Sequence, residues 1–194
     1  HKLAIFPDVD FSMPTTQYKM IPIDLDGTLL DPKIQVTPRT KAAVHRCLKA
    51  GLLVCFATGR NWTESRDVLE AIDHYASAVF VGGAMVIDTG REITLHRTMM
   101  QPELASAVCT ELEALGHAAL ALQDTGAAGV DYLISADMPL NPSTEQWMKG
   151  FNMKVKRVPG LGSYEHPHTI RCGIVAPPEE TARVQAALKE RFEE

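Results

Sequence analysis

The chain has 194 residues, enough for one sizeable core with a smaller domain inserted, at roughly 150 residues per domain. Apolar residues make up 45% and charged residues 22%, which excludes a disordered or collagen-like chain. With 19 basic and 24 acidic side chains the formal net charge is −5, which argues against nucleic acid or an anionic membrane as partner, and no apolar run approaches the ~18 residues of a membrane span.

Residues 1–12 precede the first methionine, Met13, and read as a tag remnant or added arm outside the fold. No segment joins a basic start, an apolar stretch and a small-residue cleavage site, so the expected compartment is the cytoplasm. Lys19 to Leu25 reads as a buried strand, in which Pro22 withholds a ladder donor that a local bulge could absorb. Thr37 as N-cap and Pro38 at the first helical position open a helix to about Ala50. Val44, Cys47 and Leu48 form its apolar stripe, and Gly51 suits a left-handed cap.

Leu52–Ala57 is a continuous apolar run, as in a strand covered on both faces. A helix over about Thr63–His74 follows, with Val68, Leu69 and Ile72 inward, and Ala78–Val81 is a third strand ending at Gly82–Gly83. This alternation of strand and helix predicts a doubly wound parallel sheet. From Ala84 the rhythm changes. Two runs around Thr89–Gly90 predict an antiparallel hairpin, Pro102–Leu115 a helix closed by Gly116, and His117–Asp124 and Val130–Ala136 two strands. A short helix near Ser143–Lys149, a Gly/Pro-rich loop from Pro159 to Pro167, a strand over His168–Ala176 and a terminal amphipathic helix complete the chain. The second part is α+β, so the boundary falls near Gly82–Glu92. Cys47, Cys55, Cys109 and Cys172 show no paired spacing and read as buried thiols.

The chemistry concentrates in Asp24-Leu25-Asp26-Gly27-Thr28 at the carboxyl end of the first strand, where open α/β sheets bind ligands. In an extended segment, residues two apart face one side, so Asp24 and Asp26 present two carboxylates that call for a cation or a proton. Such oxygen-rich sites suit Mg²⁺, and Gly27 lets the backbone turn its N–H to an anion. An EF-hand starting at Asp24 would need Gly and Glu where Leu29 and Gln35 stand. A carboxylate-rich turn is the other reading of the tetrapeptide. One βα unit on, Ala57-Thr58-Gly59-Arg60 places a hydroxyl and backbone N–H groups at a strand end and helix entry, a phosphate cradle when it follows the first motif and a plain turn otherwise.

The pair of motifs resembles the haloacid dehalogenase-like phosphatase superfamily, in its Cof-type branch. Asp24–Leu30 matches the first motif, Phe56–Arg60 the second, and Val79–Asp88 the third-strand segment, with Gly82 where an asparagine is usual. The resemblance implies an α/β fold: a Rossmann-like parallel core over 13–86 and an inserted α+β cap over 87–194. Asp24 would be the nucleophile that becomes an aspartyl phosphate and binds Mg²⁺. Asp26 would be the general acid/base and offer its carbonyl to the metal. Gly27, Thr28, Thr58 and Gly59 would hold the phosphoryl oxygens, with Arg60, Gly82 and Gly83 behind them. The implied activity is Mg²⁺-dependent hydrolysis of a small phosphorylated metabolite. The alternatives are a phosphomutase on the same scaffold and a truncated, non-catalytic protein that binds phosphate or a partner.

The family's phosphate lysine and second acidic pair lie beyond the cap. Their absence before Glu194 predicts a chain truncated relative to the natural protein, with its first strand left as a sheet edge. His166 and His168 read as solvated loop histidines rather than metal ligands. Trp62 reads as half-buried packing, Arg60 as an anchor at the helix start, and Gly126–Gly129 as a tight turn that could face substrate.

Overall fold

The computed structural model describes residues 18–192, so the arm expected at 1–12 lies outside the described residues. Strand β1 (Met20–Ile23) pairs in parallel with β2 (Leu53–Phe56) in an unbroken register from Met20↔Leu53 to Ile23↔Phe56. No bulge absorbs Pro22, and none is needed. The carbonyls of Lys19 and Ile23 accept from Leu53 and Ala57, so the odd-numbered residues of β1 face β2 and Pro22 turns its nitrogen away. Between them lies helix α1 (Pro38–Lys49), opened by Thr37, whose hydroxyl accepts from Thr40 N at 3.1 Å. Gly51 adopts the expected positive φ of 80°. Of the expected stripe Val44 is buried and Cys47 half-buried, but Leu48 is 44% exposed.

Helix α2 (Trp62–Ala71) starts in a capping box: the Asn61 side chain accepts from Glu64 N and the Glu64 carboxylate from Asn61 N. It leads into β3 (Ser77–Phe80), which meets the end of β2 through a parallel bridge at Ala57↔Val79. In β2 burial alternates: Val54 and Phe56 are covered while Leu53 is 61% exposed, so one face of the expected two-sided strand is open.

β3 continues antiparallel into β4 (Met85–Asp88) and β5 (Ile93–Arg97), the expected hairpin, with a bulge at Val86/Ile87. Helix α3 (Pro102–Ala114), strand β6 (Leu120–Gln123), the four-residue helix α4 (Thr125–Ala128) and β7 (Tyr132–Ser135) follow. Then come α5 (Pro142–Lys149), β8 (Val155–Val158), β9 (Thr169–Gly173) and α6 (Pro178–Phe192). The second sheet runs β8-β7-β6-β9. Sequence reasoning misses β8, because its lysine and arginine blunt an edge strand and hide its apolar alternation.

One hydrophobic cluster joins Leu25, Phe56, Leu69 and Phe80 of the first part to Leu120, Leu122, Tyr132 and Ile134 of the second. Buried Asp131 pins the same seam, taking Thr63 Oγ1 at 2.6 Å, Thr125 Oγ1 at 2.7 Å and Lys154 N at 2.7 Å. Asp124, also buried, accepts from Thr94 at 2.9 Å and pairs with Arg97. Of the four thiols only Cys109 is buried, and all four are free. His166 is not solvated: it is 1% exposed, and its ring meets Thr169 Oγ1 and the Leu161 carbonyl at 3.0 Å each, tying down the loop around it.

Candidate active site

Extended backbone ends at Asp24, one residue earlier than the alternation argument needs. From Leu25 to Leu29 the chain makes a single wide turn, closed by Leu29 N to Asp24 O at 3.2 Å and Leu30 N to Leu25 O at 3.0 Å. Leu25 is fully buried and anchors the turn in the core, while Asp24 and Asp26 on either side of it are exposed. Gly27 takes φ 72°, the left-handed conformation that the motif's glycine allows, and a Cβ there would meet open space. The requirement for glycine is therefore conformational. Neither ring-closing bond uses the N–H groups of Asp26, Gly27 or Thr28, which stand at the opening of the turn.

The two carboxylates differ in their partners. Asp24 Oδ1 accepts from its neighbour Leu25 N at 2.8 Å. Asp26 is gripped by Arg60, with Nε to Oδ2 at 2.8 Å and Nη2 to Oδ1 at 2.5 Å. The expectation for Arg60 thus gains a specific form: it anchors the first motif to the second. Its Nη1 also reaches the Glu64 carbonyl at 3.2 Å in the first turn of α2.

Thr58 is buried, and its hydroxyl oxygen accepts from Arg60 N at 3.2 Å, leaving its own proton to give. Its carbonyl takes Gly82 N at 3.0 Å, and the Arg60 carbonyl takes Val81 N at 2.9 Å. Val81 and Gly82 therefore brace the Thr58–Arg60 loop from behind, and Gly83 makes no hydrogen bond to it. Gly82 sits at φ 62°, a region that asparagine also tolerates, which accounts for glycine where the resemblance leads one to expect asparagine.

An Asp24 carboxylate beside the Asp26 carbonyl suits an ion that keeps most of its waters and binds through one or two carboxylates. Among the described residues no three His, Cys, Asp or Glu side chains converge on a common point. A separate cleft of about 460 Å³ lies between α2 and the second sheet, bordered by Thr63, Arg66, Asp124, Gly126, Asp131 and Lys154; it includes neither Asp24 nor Asp26. Trp62 is half-buried, edge-on to Phe80 at 5.9 Å, as expected.

Two features escape the sequence. Glu64, buried in the capping box, accepts from the Tyr132 hydroxyl at 3.0 Å, a contact 68 residues apart in sequence. Burial, and then the Glu64 charge, push the Tyr132 phenol well above its ordinary value. Arg171 on β9 donates Nη1 to the Gly59 carbonyl at 3.0 Å. Its one visible signal is a lone arginine within an apolar strand. Among the described residues no helix is long and apolar enough to cross a membrane.

Residues 21–194 match a family described as haloacid dehalogenase-like hydrolase. A 5-amino-6-(5-phospho-D-ribitylamino)uracil phosphatase of Bacillus subtilis is 33% identical over 94 residues, 48% of this chain and 32% of that protein. An HMP-PP phosphatase of Serratia proteamaculans is 22% identical over 178 residues, 90% of this chain and 61% of that protein. Among solved structures, a haloacid dehalogenase-like hydrolase from Bacteroides thetaiotaomicron superposes with a TM-score of 0.72 at 16% identity, over 91% of this chain and 65% of that one. In each case the chain spans less than two thirds of the relative's length.

Proposed function

This chain belongs to the haloacid dehalogenase-like hydrolases, in their Cof-type branch, and from that premise we propose that it carries the aspartate nucleophile of a phosphomonoester hydrolase acting on a small phosphorylated metabolite. The observation that carries the reading is the meeting of two strand-end loops: Asp24 and Asp26 after β1, and Thr58–Arg60 after β2, joined through the Arg60–Asp26 pair. Residues 13–86 would form the catalytic core and 87–194 the cap over it. The relatives named above are phosphatases of phosphorylated small molecules, which supports that substrate class.

In this reading an Asp24 oxygen attacks phosphorus, forming an aspartyl phosphate as the ester P–O bond breaks. The Asp26 carboxyl gives its proton to the departing alkoxide and later takes one from the water that attacks phosphorus and releases phosphate. Each Asp26 oxygen accepts one N–H from Arg60 in this structure and keeps a second lone pair with which it would meet the proton shared with a substrate oxygen. The Thr58 hydroxyl and the N–H groups at the Gly27 turn would hold the equatorial oxygens. Mg²⁺, held by the Asp24 carboxylate and the Asp26 carbonyl, would neutralise charge on the phosphoryl group when bound.

The test is phosphate release from a broad metabolite panel with Mg²⁺ present. Activity abolished in Asp24→Asn with an unchanged melting temperature supports the reading. Full activity in Asp24→Asn overturns it, and turnover that depends on a bisphosphorylated activator with little net phosphate release would indicate a mutase.

A further inference from the structure

The inward face of the second sheet is apolar but for two arginines: Arg157 at the β8 edge, which bonds the carbonyls of Ala136 and Met138, and Arg171 on β9. Leu122 on β6 pairs with Tyr132 on one side and Arg171 on the other, so the three form a row across β7, β6 and β9. Leu120 and Ile134 extend that face, and all four neighbours of Arg171 in this patch belong to the core shared with the first part of the chain. Its guanidinium donates to the Gly59 carbonyl at 3.0 Å and also hydrogen-bonds the Tyr132 phenol. Among the described residues no carboxylate lies within ion-pairing distance of Arg171, whereas Arg60, Arg66, Arg91, Arg97 and Arg191 each have one. Arg171 stays exposed, and its bonds to the Gly59 carbonyl and the Tyr132 phenol leave part of its five-donor fork free for a ligand.

Its location gives that charge a meaning. Gly59 lies between Thr58 and Arg60, in the loop that would cradle the phosphoryl group. Arg171 reaches this loop from the opposite part of the chain, fixed there by the Asp131 and Tyr132 contacts to α2. The first part supplies the hydroxyl and N–H groups for the phosphoryl oxygens. A cation arriving from the second part meets the other end of the substrate.

We propose that Arg171 reads the leaving group: it binds a carboxylate or phosphate on the portion of the substrate beyond the scissile bond. The preferred substrates are then phosphoryl compounds whose leaving group is itself anionic, diphosphate monoesters cleaved at the anhydride and phosphomonoesters of hydroxy acids, rather than sugar phosphates with a neutral leaving group. The planar guanidinium fork matches either anion bidentately, which an ammonium cannot reproduce. This proposal rests on the phosphatase reading above and narrows its substrate.

The experiment measures kcat/KM of the full chain with Mg²⁺ for methyl diphosphate and phosphoglycolate against ribose 5-phosphate and glycerol 3-phosphate, in the wild type, Arg171→Met and Arg171→Lys. The wild type is expected to favour the anionic leaving groups by at least about tenfold, and Arg171→Met to lose about 10- to 100-fold on those alone, with Arg171→Lys between. No wild-type preference, or an equal loss on both sets as a merely structural arginine would give, overturns the proposal. If no substrate releases phosphate, the phosphatase reading fails, and calorimetry with inorganic pyrophosphate and orthophosphate decides the role of Arg171. Tighter binding of pyrophosphate that Arg171→Met abolishes sustains an anion-reading arginine; equal binding by both proteins overturns it.

Discussion

Arg60 holds Asp26 through both carboxylate oxygens, joining two loops that lie 34 residues apart in sequence. Arg60 is well covered and Asp26 about half exposed, so the pair is a partly screened bidentate contact. Its strength is measurable by a double-mutant cycle of Arg60→Met and Asp26→Asn in urea unfolding. The expected coupling is about 1 kcal/mol. A coupling indistinguishable from zero would mean that the two loops are held together by the pairing of their strands alone, which ends at Ala57 N to Ile23 O.

Tyr132→Phe leaves the buried Glu64 Oε1 without the donor that meets it at 3.0 Å. The expected cost is about 1–3 kcal/mol, read as a lower urea midpoint with an unchanged slope. Glu64→Gln should cost less, since the amide oxygen can still accept from the phenol. The raised phenol also fixes a sign. Above the ordinary tyrosine value of 10.0 the unfolded chain sheds a proton that the folded chain retains. This group's contribution is full below that pH and falls as pH rises past it, and the fall should be missing in Tyr132→Phe.

The parts of the fold legible in the sequence were those with local causes. Thr37 and Pro38 announce the start of α1, Gly51 and Gly116 end their helices at positive φ, and the Thr89–Gly90 turn sits between β4 and β5. The two strand-end motifs were legible because Gly27 and the Thr58–Gly59 loop need particular residues in a short span. What escaped was set by distant packing. His166 looks like a loop histidine until Thr169 and Leu161 close around it. Nothing local marks Tyr132 as the partner of Glu64, or Arg171 as that of Gly59, because the contacts span 68 and 112 residues of sequence.

His74 gives the chain a pH dependence on the acid side. It is buried edge-on to Phe56 at 4.7 Å, and burial holds its imidazole below the ordinary value of 6.5. The unfolded chain therefore binds a proton near and below pH 6.5 that the folded chain resists, so stability is full above that pH and declines as pH falls. Urea midpoints measured from pH 8 to pH 5 should fall more steeply for the wild type than for His74→Gln. Parallel curves would show that His74 protonates as readily folded as unfolded.

Gly82 separates conformational demand from crowding. At φ 62° it lies in the left-handed region, and a Cβ there would meet nothing within 4 Å. A side chain is therefore opposed by backbone strain alone. Asparagine accepts this region with little penalty, whereas a β-branched residue pays the full cost of about 1–2 kcal/mol. Gly82→Asn should melt within about a degree or two of the wild type, and Gly82→Val several degrees lower. Because Gly82 N bonds the Thr58 carbonyl, the substitution by valine should also loosen the Thr58–Arg60 loop, read as faster exchange of the backbone amide at position 82 than in the wild type. Equal melting of the two variants would mean that the loop gives up its left-handed turn without loss, and that the brace behind the Thr58–Arg60 loop contributes nothing to its order.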